Sequence, residues 1–356
     1  MSEVATQFYT KTGDAWDAML KDIERAEKSI DIEQYIFSID VIGTRFLDVL
    51  QKKVLQGIQV RLLLDAAGSF AFFRSPIVER LKRLGIEIRF FNPVKPWRID
   101  LFTSNFFRNH RKIMIIDGTI GHLGGVGIQD HMLEWRDTHM RMTGDIVEDL
   151  QVSFLALWNR VGIGIFRRYT HNHQFLKKFN LLTNSPRRKH KHIYQTLIAN
   201  IRNAKKNIYL TTPYFIPDIR LYRVLRLAAK RGVDVQILVP EIADHAFINH
   251  ARESYFSLAL KAGIKIYVYK PFMMHAKTAV IDDWATAGSF NLDSLSFYFN
   301  HEANIGTTEP SFIEEIKKHF LEDLAVSEQI NYEGWKNRPL RKKFLELLTW
   351  PFHSVL

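Results

Sequence analysis

Residues 109–117, NHRKIMIID, and residues 274–282, MHAKTAVID, carry one pattern, His-x-Lys-x-x-x-x-Asp, once in each half of the chain. Chance yields on the order of 0.1 such match in a chain of ordinary length. A pair in corresponding positions therefore signals a duplication, and two copies suggest a duplicated active site. The flanks repeat as well. AEKSIDIEQYIF from residue 26 answers AKKNIYLTTPYF from residue 204, GIQVRLLLD from 57 answers GVDVQILVP from 232, and GIEIRFFNP from 85 answers GIKIYVYKP from 263. These starts lie 178, 175 and 178 residues apart, which reads as one large unit used twice rather than a short-period solenoid.

Each unit reads helix, buried strand, helix, strand, further strand and then the motif strand, because short β-rich apolar runs follow Gly-bounded helical stretches. The fold class is α/β. Strand alternation places His110 with Lys112, and His275 with Lys277, on one face. The expected organisation is a first unit over 1–165, a basic linker over 166–192, a second unit over 193–336 and a basic amphipathic segment over 337–356. The two histidines lie only 165 residues apart, so the first unit carries 13 extra residues between Pro93 and His110. That insertion mixes Trp97, Phe102, Phe106 and Phe107 with Lys95, Arg98 and Arg108, and reads equally as a lid or as a lipid-facing surface. The linker holds His171, His173, His190 and His192, but without ligand pairs at zinc-site spacing.

At 356 residues the chain has room for two cores, and 46% hydrophobic with 24% charged residues is ordinary globular composition. The absence of cysteine removes disulfides, thiolate metal sites and cysteine nucleophiles, so His, Ser and carboxylates must carry the chemistry. The N-terminus lacks the features of a signal peptide and no long apolar run would span a bilayer, so a peripheral rather than a spanning protein is expected. A formal charge of +11 favours a polyanionic partner, either nucleic acid or an anionic lipid surface.

A histidine can attack phosphorus and split one difficult displacement into two easier ones, while a second histidine protonates the leaving alcohol. His110 and His275 fit these two roles, with Lys112 and Lys277 neutralising the phosphate oxygens. No metal or cofactor is required by this scheme. A nucleophilic histidine also needs its far nitrogen held by an acceptor. Asp137 lies 27 residues after His110, and Glu302 lies 27 after His275, so each carboxylate is expected to orient the histidine of its own repeat. Asp117 and Asp282 complete the motif but end strands beside turns, which favours structural support over chemistry.

The paired motif, with Gly288, Ser289, Phe290 and Asn291 after its second copy, resembles the phospholipase D superfamily. YIF, TTPYFIPD, RNHRKIMIIDG, WRDTH, ARESY and GSFNLDSLSF followed by NHEANI further resemble bacterial cardiolipin synthases of the type without N-terminal membrane helices. The resemblance implies a phospholipase D-like fold of two tandem, pseudo-two-fold-related α/β/α units with the active site at their interface. It also implies that His110 is the nucleophile and His275 the acid, with Lys112, Lys277, Ser289 and Asn291 near the phosphate. Gly127 stands where the family carries Asn, and the turn after Asp282 is one residue shorter than that after Asp117.

The implied reaction is phosphatidyl transfer between two phosphatidylglycerols, giving cardiolipin and glycerol, at the cytoplasmic face of the bacterial inner membrane with anionic phospholipid as partner. Hydrolysis of the same phosphodiester, or nuclease action, would use identical catalytic residues. The many aromatic residues beside the motifs favour lipid over nucleic acid. A binding protein without activity is the third class, and the intact His and Lys pairs argue against it.

Overall fold

The Gly-bounded apolar runs of the repeat form the strands of two sheets in a computed structural model that describes residues 3–93, 107–163, 178–186, 190–243 and 246–339. The insertion over 94–106, most of the expected linker including His171 and His173, and the C-terminal stretch from 340 lie outside the described residues. The chain divides into two units, Met1–Leu181 with Asn300–Ala303, and Leu182–Phe299 with Asn304–Leu356.

In the first unit the strands are β1 (Ala5–Lys11), β2 (Ser29–Gln34), β3 (Gln59–Asp65), β4 (Glu87–Phe91), β5 (Arg108–Asn109), β6 (Ile113–Ile116), β7 (Ile120–Gly124) and β8 (Arg136–Thr143). Seven of them form a sheet in the order β1-β8-β7-β6-β2-β3-β4. β2, β3 and β4 are parallel, and the connections between them carry the helices Val41–Leu55 and Ile77–Arg83, as the crossovers of parallel strands require. The motif strand β6 pairs antiparallel with β2, Ile32 facing Met114. The first helix, Thr12–Arg25, buries Trp16, Met19, Leu20 and Ile23, the spacing of a single apolar helical face. Val41–Leu55 starts where the Asp40 side chain accepts the Gly43 N–H at 3.0 Å, an N-cap contact.

β2 is buried from Ile30 to Gln34 although it reads SIDIEQ. Its charges are paired. Asp31 accepts from Arg61 at 2.5 and 2.7 Å and from Gln151 at 2.7 Å, while Glu33 accepts from Arg111 at 2.5 Å. Leaving any of these alone would cost several kcal/mol, on the order of the 3–5 kcal/mol typical of a broken buried pair.

The second unit repeats the plan with β9 (Phe179–Asn184), β10 (Asn207–Thr211), β11 (Asp234–Pro240), β12 (Lys265–Tyr269), β13 (Thr278–Ile281), β14 (Trp284–Gly288), β15 (Asn300–Thr307) and β16 (Ser327–Gln329). β10, β11 and β12 are parallel, and β13, β14 and the end of β15 continue antiparallel from β10. Its core gathers Leu197, Ile201, Leu210, Leu225, Ile237, Ile266 and Phe297.

Two expectations on organisation are corrected. The stretch 166–192 is not all solvated linker, since its apolar run FNLLTN forms β9 with Phe179, Leu181 and Leu182 buried. Residues 300–303 cluster with the first unit although they lie within the sequence of the second, because β5 pairs in parallel with the start of β15, Arg108 facing Asn300 and Asn109 facing His301.

Candidate active site

In the first unit the histidine motif begins at β5. The His110 N–H donates to the His301 carbonyl at 3.0 Å, so the histidine backbone is held by the strand that also carries Glu302. Its Nδ1 lies 3.0 Å from both carboxylate oxygens of Glu302, a residue with no exposed surface. This corrects the expected pairing. Equal spacing identifies Asp137 and Glu302 as repeat equivalents, but the β5–β15 pairing sets Glu302 beside His110 rather than Asp137. Asp137 is buried on β8, where its Oδ1 accepts the Thr138 N–H at 2.7 Å.

Lys112 is buried, and its Nζ donates back to the His110 carbonyl at 2.7 Å. The Tyr35 ring meets the His110 ring edge-on with centroids 5.0 Å apart, and Lys112 Nζ lies 5.2 Å from the same ring. Tyr35 is thus a site residue absent from the expected set. Its signal was the alignment of YIF with PYF across the repeat.

The Gly124–Gly127 turn follows β7. A Cβ on Gly125 would collide with the Asp137 carboxylate, so glycine is required there by the neighbour rather than by backbone angle. At Gly127 the carbonyl accepts the Trp16 indole N–H at 2.8 Å, and a Cβ would lie 3.1 Å from Met132 Sδ. A side chain at this position would need the end of Met132 to give way slightly.

In the second unit His275 and Lys277 are 7% and 2% exposed, and Lys277 Nζ donates to the His275 carbonyl, reproducing the Lys112 arrangement. Ser289 and Asn291 are buried in the turn after β14. That turn is braced by Asn304, whose Oδ1 accepts the Phe290 N–H at 3.1 Å and whose Nδ2 donates to Thr286 Oγ1 at 3.1 Å. Asn291 Oδ1 has no hydrogen-bond partner, so the amide holds unused capacity within the turn.

Asp117 and Asp282 lie at the far ends of β6 and β13 from the lysines. Asp117 accepts the N–H groups of Glu27, Lys28 and Ser29 at 2.9, 2.7 and 2.9 Å. Asp282 does the same for Lys205, Lys206 and Asn207 at 2.7, 2.9 and 2.9 Å. Each clasps the start of the neighbouring central strand and takes no part in the His–Lys cluster. Among the described residues no group of three or more His, Asp or Glu side chains is placed to hold a metal, and no helix is long and apolar enough to cross a membrane.

The arrangement in the first unit suits nucleophilic catalysis. Glu302 at Nδ1 fixes the tautomer of His110 and leaves Nε2 with the lone pair. The sequence matches the family model described as "Cardiolipin synthase, PLD-like domain" over residues 19–158 and 197–324. It is 37% identical over 341 residues to the major cardiolipin synthase ClsA of Bacillus subtilis (strain 168), covering 92% of this chain and 70% of that protein. Cardiolipin synthase 1 of Bacillus cereus is 36% identical over 362 residues, covering 96% of this chain and 70% of that one. The fold is shared with a crystal structure of phosphatidylserine synthase from Haemophilus influenzae Rd KW20, at a TM-score of 0.78 and 13% identity over 98% of this chain and 93% of that one.

Proposed function

We propose the reaction of this chain from one premise: it belongs to the cardiolipin synthase, PLD-like domain family and is a phosphatidyltransferase of the phospholipase D superfamily. His110 Nε2 attacks the phosphorus of phosphatidylglycerol, an N–P bond forms, and the P–O bond to glycerol breaks. His275 gives its proton to the departing glycerol oxygen. A hydroxyl of a second phosphatidylglycerol then loses its proton to His275 and attacks the phosphatidyl-histidine, releasing His110 and completing cardiolipin. Lys112, Lys277 and Asn291 offset the charge that builds on the phosphate oxygens.

The observation that carries this reading is the contact of His110 Nδ1 with Glu302 at 3.0 Å, which orients the imidazole and supports the tautomer whose attacking lone pair lies on Nε2. Water is the competing acceptor, and hydrolysis would use the same residues. Peripheral association with anionic phospholipid at the inner membrane belongs to the same proposal, supported by the formal charge of +11. The aromatic insertion and the segment over 337–356 are its expected contacts, largely outside the described residues.

The test is to incubate the purified protein with labelled phosphatidylglycerol in mixed micelles, and in anionic vesicles at low and high salt, and to resolve the lipids. Cardiolipin with free glycerol is the expected product, and turnover on vesicles should fall with salt more than turnover of a soluble diester. Phosphatidic acid alone would make the protein a hydrolase. No product on any phospholipid would overturn the proposal.

A further inference from the structure

Behind His110 lies a buried carboxylate that the motif does not include. Asp65 ends β3, has no exposed surface, and turns both oxygens on the His110 segment. Its Oδ2 accepts the N–H of Asn109, the residue before the histidine, at 2.8 Å. Its Oδ1 accepts the Ala67 and Gly68 N–H groups at 2.9 and 3.2 Å and the Arg108 guanidinium at 3.2 Å. We propose that Asp65 is a positioning residue for His110: by clasping the Asn109 N–H and the Arg108 side chain it fixes the two-residue strand from which the imidazole reaches Glu302.

Among the described residues the Nε and Nη2 of Arg108 and both amide atoms of Asn109 are buried without hydrogen-bond partners; Asp65 binds both residues of the strand, and beside it Asn92 accepts from Arg108 on its carbonyl at 3.3 Å and donates from Nδ2 to the Phe107 carbonyl at 2.9 Å. The clasp also breaks the repeat. The position of Asp65 is taken by Pro240 in the second unit, and that of Arg108 by Met273, so His275 has no such pair behind it. A device present behind only one of two equivalent histidines fits a role specific to that histidine, and this inference rests on the proposed assignment of His110 as nucleophile.

The test separates the two histidine roles by leaving group. A soluble phosphodiester releasing p-nitrophenol needs no general acid, whereas one releasing an alkyl alcohol does. With the whole chain, His275→Ala should regain a stoichiometric burst of p-nitrophenol from the activated diester, and His110→Ala should not. If that control fails, the histidine assignment is wrong independently of Asp65.

Asp65→Asn is then measured beside the double variant Asp65→Asn with Arg108→Met, which leaves no buried guanidinium unpaired. Both should lower kcat by about a hundredfold, the size of effect expected from a misplacement near 1 Å. KM should stay within about threefold, and the loss should be equal for the two leaving groups because the attack itself is impaired. Folded variants that keep kcat within about threefold of the parent would overturn the proposal, as would a loss restored by the activated leaving group. Failure of both variants to fold would also overturn it, by assigning Asp65 to the fold rather than to His110.

Discussion

Asp117 and Asp282 end their strands in the left-handed region, with φ of 54° and 48°, and each turns its carboxylate back on three backbone N–H groups. Partial burial pushes the Asp117 carboxyl up, but the donors from Ser29, Glu27 and Lys28 together outweigh it and hold the group below the usual carboxylate range. Asp282 is held low in the same way by Asn207, Lys205 and Lys206. A carboxyl depressed in the folded state gives stability that is fully present above its unfolded value, about 3.9, and is lost as pH falls through the lower folded value. Asp117→Asn and Asp282→Asn keep a residue that tolerates positive φ while giving up the charge, and each should cost about 1 kcal/mol, the scale of a capping contact. Thermal melts at pH 7 should show the loss, the difference should begin to shrink only below about pH 4 and vanish below the depressed folded value, and kcat well below the midpoint should fall far less than the hundredfold expected at His110. A large loss of kcat with an unchanged melt would return these residues to the chemistry. The strand-end position between an apolar run and a turn made this support role legible in the sequence, whereas the three donors came from a segment about 90 residues away in the chain.

At the scale of elements, β7 and β8 share a polar relay that no pattern of alternation announces. Arg141 and His122 both bind Asp22, at 2.7 and 2.8 Å, and His139 Nε2 lies 3.3 Å from His122 Nδ1. The network assigns one direction of donation: His139 Nε2–H to His122 Nδ1, and His122 Nε2–H to Asp22. Burial lowers His122 against the pull of Asp22, and burial together with His122 pushes His139 down to about 3. The second unit uses the same strand positions for Thr286 and Asn304, which do not titrate. Histidines held neutral in the fold take up protons on unfolding, so stability is fully present above about pH 6.5 and declines as pH falls toward the folded values, by roughly 1.4 kcal/mol per pH unit for each proton. Replacing His122→Thr together with His139→Asn should therefore flatten the fall in denaturation midpoint between pH 7 and pH 5. An unchanged slope would mean that other groups set the acid sensitivity. The parallel strands and their helices were readable because Gly-bounded apolar runs repeat. β5 and the boundary at residue 300 were not, since a two-residue strand has no periodicity and its pairing joins residues 192 apart, as His110 and Glu302 are.

For the whole molecule, the duplication identified both histidines, both lysines and both carboxylates from the sequence, yet it set Glu302 with the histidine of its own repeat, whereas strand pairing places it beside His110. A repeat states which residues are equivalent; strand pairing decides what each one faces. Glu302 beside His110 supports the central claim, that His110 carries the phosphatidyl group in a covalent intermediate. The most direct measurement mixes excess His275→Ala protein with a phosphatidylated diester bearing a good leaving group, withholds the acceptor lipid, quenches in alkaline denaturant to preserve the N–P bond, and maps added mass by peptide spectrometry. The account predicts one phosphatidyl adduct on the peptide containing His110, absent when His110→Ala is added to the same variant. An adduct on a different residue, or release of the leaving group with no adduct on any peptide, would contradict it.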